Sequence, residues 1–392
     1  MAQFSFSRRQ LIAGSMTAAA AGLVTLPFDV AGKSERITIT KIELFKVVVP
    51  FQDDVVNSKE YLTWAEDSLE MVDKTPHFML KVHTDSGIFG IGETARGIQR
   101  KDVQKNVDYL VGKNVLDLNL PRLNLPHERS GEAFEVALYD IVGKAVGWPV
   151  YQLLGGLAQD KVAVNYWCGR KNVEDIKRVA ERCVAGGFKV LKMKSSFGDP
   201  VAKTVEAVAK VAPDLRVNVD FNTYYPDMES FMPLGREMDD IGNMHTFEDP
   251  IPRADLWGYY KLSELLKTPI TLTFDQPAKI FEAAKAQACR YINTYQRPSL
   301  AQFVTNSAVA EAAGMPVWHG SGVNLGVLDA SFAHTCAASP NATLPSDILS
   351  YLRVHTLLVK PLEIADGYVT VPHGPGLGVE MDEDALKRFA VS

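Results

Sequence analysis

Features typical of nucleic-acid-binding, disulfide-stabilised or low-complexity proteins are missing from this sequence of 392 residues. No run of basic residues stands out, and the net charge of -6 argues against a nucleic-acid partner. The four cysteines are too few and too scattered for a disulfide framework or a zinc knuckle. The glycine-rich run at 374–378 precedes no helix of a βαβ unit, which excludes dinucleotide binding. What is present, 46% hydrophobic and 22% charged residues, predicts a globular protein with two domains, or one large barrel and a smaller unit.

The first 33 residues differ in character from the rest of the chain. Ser7-Arg8-Arg9 precedes an uncharged, alanine-rich stretch from Leu11 to Phe28. A basic region followed by an apolar one is typical of a signal peptide, and paired arginines predict the twin-arginine export route. The alternatives are a cytosolic amphipathic helix and an uncleaved anchor, although the many small residues disfavour a stable membrane span. We therefore expect residues 1–33 to be a twin-arginine signal segment and the mature protein to lie in a bacterial periplasm, without a membrane span.

Residues 34–160 combine strand-like and helix-like patterns. The stretch ITITKIELFKVVVPF, which begins at Ile37, is rich in β-branched residues and alternates in polarity, as strands do. Two further strand-like runs flank Asp85-Ser86-Gly87, a sequence typical of a hairpin turn. Apolar residues then recur at helical spacing over residues 101–115 and 132–154. These patterns predict an α+β unit.

From residue 161 to 360, short apolar runs alternate with amphipathic segments such as EDIKRVAERCVAGG. This alternation predicts a parallel sheet, and both a closed (β/α) barrel and an open doubly wound sheet fit it. The predicted strands end in polar residues, which would converge on one mouth in a barrel but spread along a line in an open sheet. The barrel is therefore favoured by the strand-end residues Lys192, Lys194, Asp220, Asn222, Glu248, Asp249, Asp275, Asn293 and His319.

Three of these strand ends carry acids at nearly equal spacing. Asp220, Glu248 and Asp275 follow one another at about one β/α unit each, so their carboxylates would face one point. Such a cluster does not stay ionised without a cation, and hard oxygen ligands of this kind suit Mg²⁺, with Mn²⁺ as the alternative. The competing interpretation is three unrelated surface acids.

Two lysines and a histidine supply candidate proton-transfer groups. Lys192 and Lys194 are two residues apart, so on a strand they share one face and point into the mouth. Two close cations lower each other's pKa, which makes one of them a usable base. The alternative is an ordinary strand whose lysines reach solvent. His319, which follows the apolar strand MPVW, is either catalytic or a hydrogen-bonded loop histidine.

Taken together, these motifs resemble the enolase superfamily, in particular its mandelate racemase and muconate lactonizing branch. The resemblance runs from about Ile37 to Phe389. It includes the hairpin end GIGET, the helix ALYDIVGKAVGWPVYQLLGG, and the sequences KMK, VDFN and FEDP. The tail DGYVTVPHGPGLGVEMDEDAL is one of its most specific parts.

The resemblance implies a modified (β/α) TIM barrel over residues 161–360, closed by an α+β capping domain over 34–160 to which the C-terminal segment 361–392 returns. It implies a divalent ion, usually Mg²⁺, held by the strand-end acids, and a small carboxylate substrate whose enediolate the ion stabilises. Lys194 occupies the position of the base, with Lys192 near the substrate carboxylate.

The resemblance also implies that a cap loop, here residues 51–66, covers the substrate. Tyr61 and Trp64 are its candidate contacts. We further expect a homo-oligomer, with neither nucleic acid nor membrane as partner.

Two departures from the family pattern bear on the reaction. Phe274 stands where the third acidic ligand is expected, and Asp275 follows one residue later, so only a bulge would bring it to the correct face. Asn293 stands where relatives carry a lysine or an aspartate, and residues 298–299 replace a pair of glycines. An asparagine takes no proton from carbon, which disfavours racemisation by two bases.

These residues predict a Mg²⁺-dependent dehydratase of a hydroxy acid, with a sugar acid as the expected substrate. Lys194 would take the α-proton, and His319 or a metal-bound water would protonate the departing hydroxyl. Asn222 and Asn293 would contact the substrate. The alternatives are a racemase or epimerase of a carboxylate, and a non-catalytic homologue that retains the fold and the metal.

Overall fold

The computed structural model describes residues 36–53, 55–61, 74–297 and 299–391. The predicted signal segment and Trp64 therefore lie outside the described residues. Within these ranges, no helix combines the length and the apolar character that crossing a membrane requires.

The first part of the described chain is an antiparallel sheet packed on helices. Its strands are β1 (Ile39–Val47), β2 (His77–Thr84) and β3 (Phe89–Glu93), in that order across the sheet. Helices α1 (Arg100–Leu110), α2 (Glu128–Val146) and α3 (Val150–Leu153) follow. The predicted α+β unit is confirmed, but its second helix is split, because Gly147 adopts a left-handed backbone with φ of 75°.

Two glycines of the hairpin end let this sheet approach α2 closely. A β-carbon at Gly90 would lie 2.0 Å from the carbonyl oxygen of Ala137, and one at Gly92 would lie 2.0 Å from that of Ala133. Both distances are far shorter than any van der Waals contact, so only glycine fits. The GIGET motif is therefore a packing requirement of the cap.

Seven parallel strands form the curled sheet of the second part, in the order β5 to β11. Helices α4 to α9 connect them, and α10 follows the last, which is the alternation that the sequence predicts. The strands are β5 (Tyr166–Cys168), β6 (Val190–Lys194), β7 (Arg216–Asp220), β8 (Met244–Glu248), β9 (Ile270–Thr273), β10 (Tyr291–Thr294) and β11 (Val317–His319). The helices are α4 (Val173–Ala185), α5 (Val201–Val211), α6 (Met228–Ile241), α7 (Leu256–Leu265), α8 (Pro277–Ala286), α9 (Leu300–Ala312) and α10 (Gly326–Ala337).

A short extended segment, residues 344–347, closes the sheet into a barrel. On one side, the amide of Asp347 donates to the carbonyl of His319 on β11 at 2.8 Å. On the other side, the amide of Ser346 donates to Ala163 at 2.7 Å, and the amide of Asn165 donates back to Ser346 at 3.0 Å. The segment thus acts as the eighth strand between β11 and β5, and the predicted barrel is confirmed.

The apolar run VAVNYW, residues 162–167, divides between two sheets. Its first part, β4 (Lys161–Ala163), pairs with β13 (Tyr368–Thr370), which pairs in turn with β12 (Ile364–Ala365). Helix α11 (Glu383–Arg388) follows, and the amide of Val391 then donates to the carbonyl of Lys46 on β1 at 2.9 Å. The C-terminal segment thus contacts both β4, which leads into the barrel, and the cap.

Candidate active site

Polar side chains from successive strands meet at the carboxyl end of the barrel. The strand register places Lys194 of β6 beside Asp220 of β7, and Asp220 beside Glu248 of β8. Lys192 and Asn218 form the next pair towards the barrel interior, because residues i and i+2 of a strand share a face. The structure therefore brings together both lysines and two of the three acids that the sequence singles out.

Lys194 is the more accessible of the two lysines. Its side chain is 28% exposed, and Nζ donates to Asp220 Oδ2 at 2.5 Å and to Asn222 Oδ1 at 2.9 Å. Asn222 has a left-handed backbone, with φ of 46°, and its amide is held by Asp220 Oδ1 at 3.0 Å. These contacts fix the lysine head at the rim of the mouth, where a substrate can reach it.

Lys192 is fully enclosed and paired with two acids. Its Nζ lies 3.0 Å from Glu248 Oε1 and 2.8 Å from Asp347 Oδ2. Burial acts to lower the pKa of Lys192, but Asp347 and Glu248 outweigh it and hold the pKa well above its ordinary value. The expectation that neighbouring lysines lower each other's pKa is therefore wrong for Lys192, which is a fixed positive charge and not a base.

Three buried carboxylates form one cluster in the mouth. Asp220, Glu248 and Asp249 each place one oxygen within 4.8 Å of the others. Burial, with Asp220 beside it, raises the pKa of Glu248 to about 7. Burial also acts to raise the pKa of Asp220, but Lys194 and Lys192 reverse this effect and leave it below the ordinary value. Concentrated negative charge in an enclosed site favours binding of a cation.

The donor set suits a hard divalent ion. All three groups of the cluster are oxygen donors, which is the ligand type that Mg²⁺ takes. Beside them, Asn218 Nδ2 donates to Glu248 Oε2 at 3.0 Å. Among the described residues, Asn218 Oδ1 has no hydrogen-bond partner although it is buried. The unpaired amide oxygen of Asn218 next to three carboxylates adds to the negative potential of the cluster, as expected of a cation-binding site.

Two family models match the chain. One, described as "Enolase C-terminal domain-like", covers residues 175–385, and the other, "Mandelate racemase / muconate lactonizing enzyme, N-terminal domain", covers residues 55–155. The chain belongs to the mandelate racemase and muconate lactonizing branch of the enolase superfamily. The resemblance noted in the sequence is thereby confirmed.

Curated relatives of this branch are enzymes with differing reactions. N-succinylamino acid racemase of Thermus thermophilus is 32% identical over 266 residues, which are 66% of this chain and 70% of the relative. Muconate cycloisomerase 1 of Rhodococcus opacus is 26% identical over 344 residues, 80% of this chain and 91% of the relative. These relatives support an enzyme of this superfamily without fixing which reaction it catalyses.

Solved structures agree on the fold. The muconate lactonizing enzyme from Pseudomonas fluorescens, complexed with muconolactone, superimposes with a TM-score of 0.77 at 21% identity, covering 91% of this chain and all of that one. The capped barrel of the enolase superfamily is therefore the architecture of this protein.

Asp275 does not join the carboxylate cluster of this family member. Strand β9 ends at Thr273, whose hydroxyl accepts from Asn293 Nδ2 at 3.3 Å and so faces the mouth. Asp275 is exposed beyond the strand end and lines a cavity of about 270 Å³ with Arg129 and Arg297. No bulge returns it to the inner face, and we correct the third acid to Asp249, which lies next to Glu248.

His319 is a structural residue in this protein, which corrects the catalytic role expected of it. It is 0% exposed and lies between the rings of Phe303 and Phe332, with centroid distances of 4.8 and 3.8 Å. Nε2 accepts from the amide of Gln296, and Nδ1 donates to the carbonyl of Gly320. Burial lowers its pKa to about 3, so the ring is neutral. The sequence predicts that His319 faces the mouth, but side chains alternate along a strand, so Trp318 faces the mouth and His319 faces the helices.

The remaining predicted contacts fall at different depths of the site. Asn293 lies deep in the mouth, where Nδ2 donates to Glu248 Oε1 at 2.7 Å. Tyr61 lies at the rim, with the guanidinium of Arg170 4.5 Å from its ring centre, beside the loop that follows β5. Trp64 lies outside the described residues. Substrate contact by these residues stays a prediction.

Asp347 is a charged residue of the mouth that sequence reasoning missed. It is 2% exposed, pairs with Lys192, and accepts from Asn165 Nδ2 at 3.0 Å. The eighth strand spans only residues 344–347 and shows no alternating pattern, so no periodic signal indicates it. A count of strands could have found it, because a barrel with seven recognisable strands needs one more.

Proposed function

We propose that this protein is a Mg²⁺-dependent carbon–oxygen lyase, which removes the α-proton of a hydroxy acid and eliminates water, with a sugar acid as substrate. The observation that supports it is the asymmetry of the mouth. Lys194 stands at one side as an accessible amine, whereas Asn293, which transfers no proton, stands at the end of β10. Among the described residues, the base therefore stands on one side of the mouth, which suits elimination better than inversion of a carbon centre.

The acids of the mouth would hold the ion. Asp220, Glu248 and Asp249 offer one oxygen each, and a bound Mg²⁺ would supply positive charge that favours the negative charge developing on the substrate carboxylate. Lys192 adds a second, permanent positive charge below them. Lys194 is aligned by Asp220 and Asn222 towards the space above the acids.

A racemase or epimerase is the second candidate. The observation in its favour is the 32% identity to N-succinylamino acid racemase of Thermus thermophilus. L-Ala-D/L-Glu epimerase of Bacillus subtilis, 24% identical over 365 residues, adds to it. The names of both relatives imply inversion of configuration at a carbon centre. The stereochemistry of the reaction therefore separates the two candidates.

The separating experiment is a screen of acid sugars with Mg²⁺ in D₂O, followed by NMR. A lyase is expected to convert one acid into a 2-keto-3-deoxy acid that carries solvent deuterium at C3. In the unreacted substrate, α-deuterium should enter in one configuration only. Deuterium in both configurations without loss of water would establish the epimerase instead. Binding of Mg²⁺ without exchange in any acid would indicate a non-catalytic homologue.

We also propose export by the twin-arginine route, on the basis of Ser7-Arg8-Arg9 and the apolar stretch after it. Replacing Arg8 and Arg9 together with lysine is expected to retain the protein in the cytoplasm, because the route reads the arginine pair. Cell fractionation measures this, with Arg36→Lys, just beyond the segment, as the control. Export of the double variant at the normal level would exclude the route.

The homo-oligomer likewise stays a prediction, which size-exclusion chromatography can test.

A further inference from the structure

Tyr295 lies on the far side of the barrel mouth from Lys194. It follows β10, which is four strands from β6 in the sheet order β6-β7-β8-β9-β10. Since residues 344–347 act as the eighth strand, the path through β11 and β5 also takes four steps. Two strands four steps apart in a barrel of eight are diametrically opposed, so Tyr295 and Lys194 flank the same space from opposite sides.

The phenol end of Tyr295 points into that space. A β-carbon built at Gly320 would lie 2.7 Å from Tyr295 Cζ, the carbon that bears the hydroxyl, and 2.4 Å from Asn293 Oδ1. Both atoms therefore lie close to one point on the inner face of the mouth. Only glycine at 320 leaves the phenol room there.

The ring is held in place by its neighbours. The guanidinium of Arg297 lies 5.1 Å from its centre, and the ring of His319 meets it edge-on at a centroid distance of 6.3 Å. Asn293, its other neighbour, is fixed by the bond to Glu248. Among the described residues, Asn293 Oδ1 is buried without a hydrogen-bond partner, which leaves an acceptor beside the phenol for a hydroxyl group of a ligand.

The surroundings keep the phenol protonated. Burial raises the pKa of Tyr295 to about 12, against the opposing effect of Lys192, and Glu248, Arg297 and Asp347 are the other charges within electrostatic reach. At neutral pH the group is therefore a neutral proton donor. Because His319 is enclosed in the core, it cannot be the acid that the sequence assigned to the mouth.

We propose that Tyr295 is the catalytic acid that protonates the departing hydroxyl, a role that rests on the proposed lyase function. Lys194 takes the α-proton, the electron pair of that bond forms the carbon–carbon double bond, and the β-carbon–oxygen bond breaks. The oxygen keeps the bonding pair, takes the phenol proton and leaves as water. The phenolate regains a proton from solvent, and the ammonium of Lys194 releases its proton to solvent. The enol that the elimination forms tautomerises to the 2-keto-3-deoxy acid. Because the two groups stand on opposite sides, the elimination is anti.

The test compares Tyr295→Phe with the full-length wild type, by NMR in D₂O, on the acid sugars of the screen. Elimination is expected to fall by about 10² or more, the usual contribution of a general acid, while α-proton exchange stays within about threefold. Tyr291→Phe serves as the matched control, since Tyr291 starts the same strand and stacks on His245 at the opposite end of the barrel. Circular dichroism confirms that both variants are folded.

Elimination by Tyr295→Phe at the wild-type rate would overturn the proposal, and so would an equal loss of exchange and elimination in a folded protein. If no acid sugar is turned over, the lyase function itself is contradicted. The role of the Tyr295 phenol is then tested by binding of two ligands. Succinate and malate differ by one hydroxyl, and calorimetry with Mg²⁺ is expected to show about fivefold tighter binding of one malate enantiomer, as one hydrogen bond provides. Tyr295→Phe should erase that preference. A preference that survives the substitution would overturn the assignment of the phenol.

Discussion

Lys194→Ala is expected to abolish both α-proton exchange and product formation, with a loss of about 10³-fold or more in turnover. The reason is that Lys194 supplies the accessible amine of the mouth, while Lys192 is enclosed and held as a cation between Glu248 and Asp347. The measurement is NMR in D₂O, which follows exchange and turnover in one sample.

The matched control is Lys189→Ala, because Lys189 is exposed and directly precedes the same strand at the opposite end of the barrel. This variant should retain wild-type exchange. If Lys194→Ala kept exchange within tenfold of the wild type, another group would be the base, and the assignment of the mouth would have to change.

Asp249→Asn is expected to weaken binding of the divalent ion by at least about tenfold, and Asp275→Asn to leave it unchanged. Asp249 lies within 4.8 Å of the other two cluster acids, whereas Asp275 is exposed beyond the end of β9 and does not belong to the cluster. Calorimetric titration with Mn²⁺ compares the two variants. Removal of the ion with a chelator should stop exchange, and either Mg²⁺ or Mn²⁺ should restore it.

The two aspartates thus serve as controls for each other. A loss of affinity in Asp275→Asn with none in Asp249→Asn would restore the ligand expected from the sequence. Since Asp249 also pairs with Arg253 at 2.6 Å, the melting temperature of Asp249→Asn should be measured beside its affinity.

The sequence was sufficient for the barrel and for most of its mouth, because both depend on patterns that residue order carries. Alternating strands and helices indicate the sheet, and polar residues at strand ends indicate the mouth. Lys194, Asp220 and Glu248 are predicted in this way, since each ends a strand. Lys192 follows from Lys194, because residues two apart on a strand share a face.

The residues whose positions the sequence does not predict correctly depend on strand register, which cannot be derived from the order of the residues. His319 and Trp318 are neighbours, and which of them faces inwards follows only from the point at which β11 joins the sheet. Asp275 required a bulge that β9 does not form. Asp347 belongs to a strand too short for a periodic signal, and Tyr295 lies beyond a strand end, where its direction depends on Gly320.

The ion pair between Lys192 and Asp347 also helps to close the barrel. Residues 344–347 join β11 to β5 through a few backbone bonds, and the buried ammonium fastens this segment to β6 and, through Glu248, to β8. Removing one partner of a buried ion pair costs about 3–5 kcal/mol, because the other charge stays enclosed without compensation. Chemistry and architecture therefore share the same atoms here. Divergence of the reaction at the eighth strand is therefore constrained by the stability of the whole barrel.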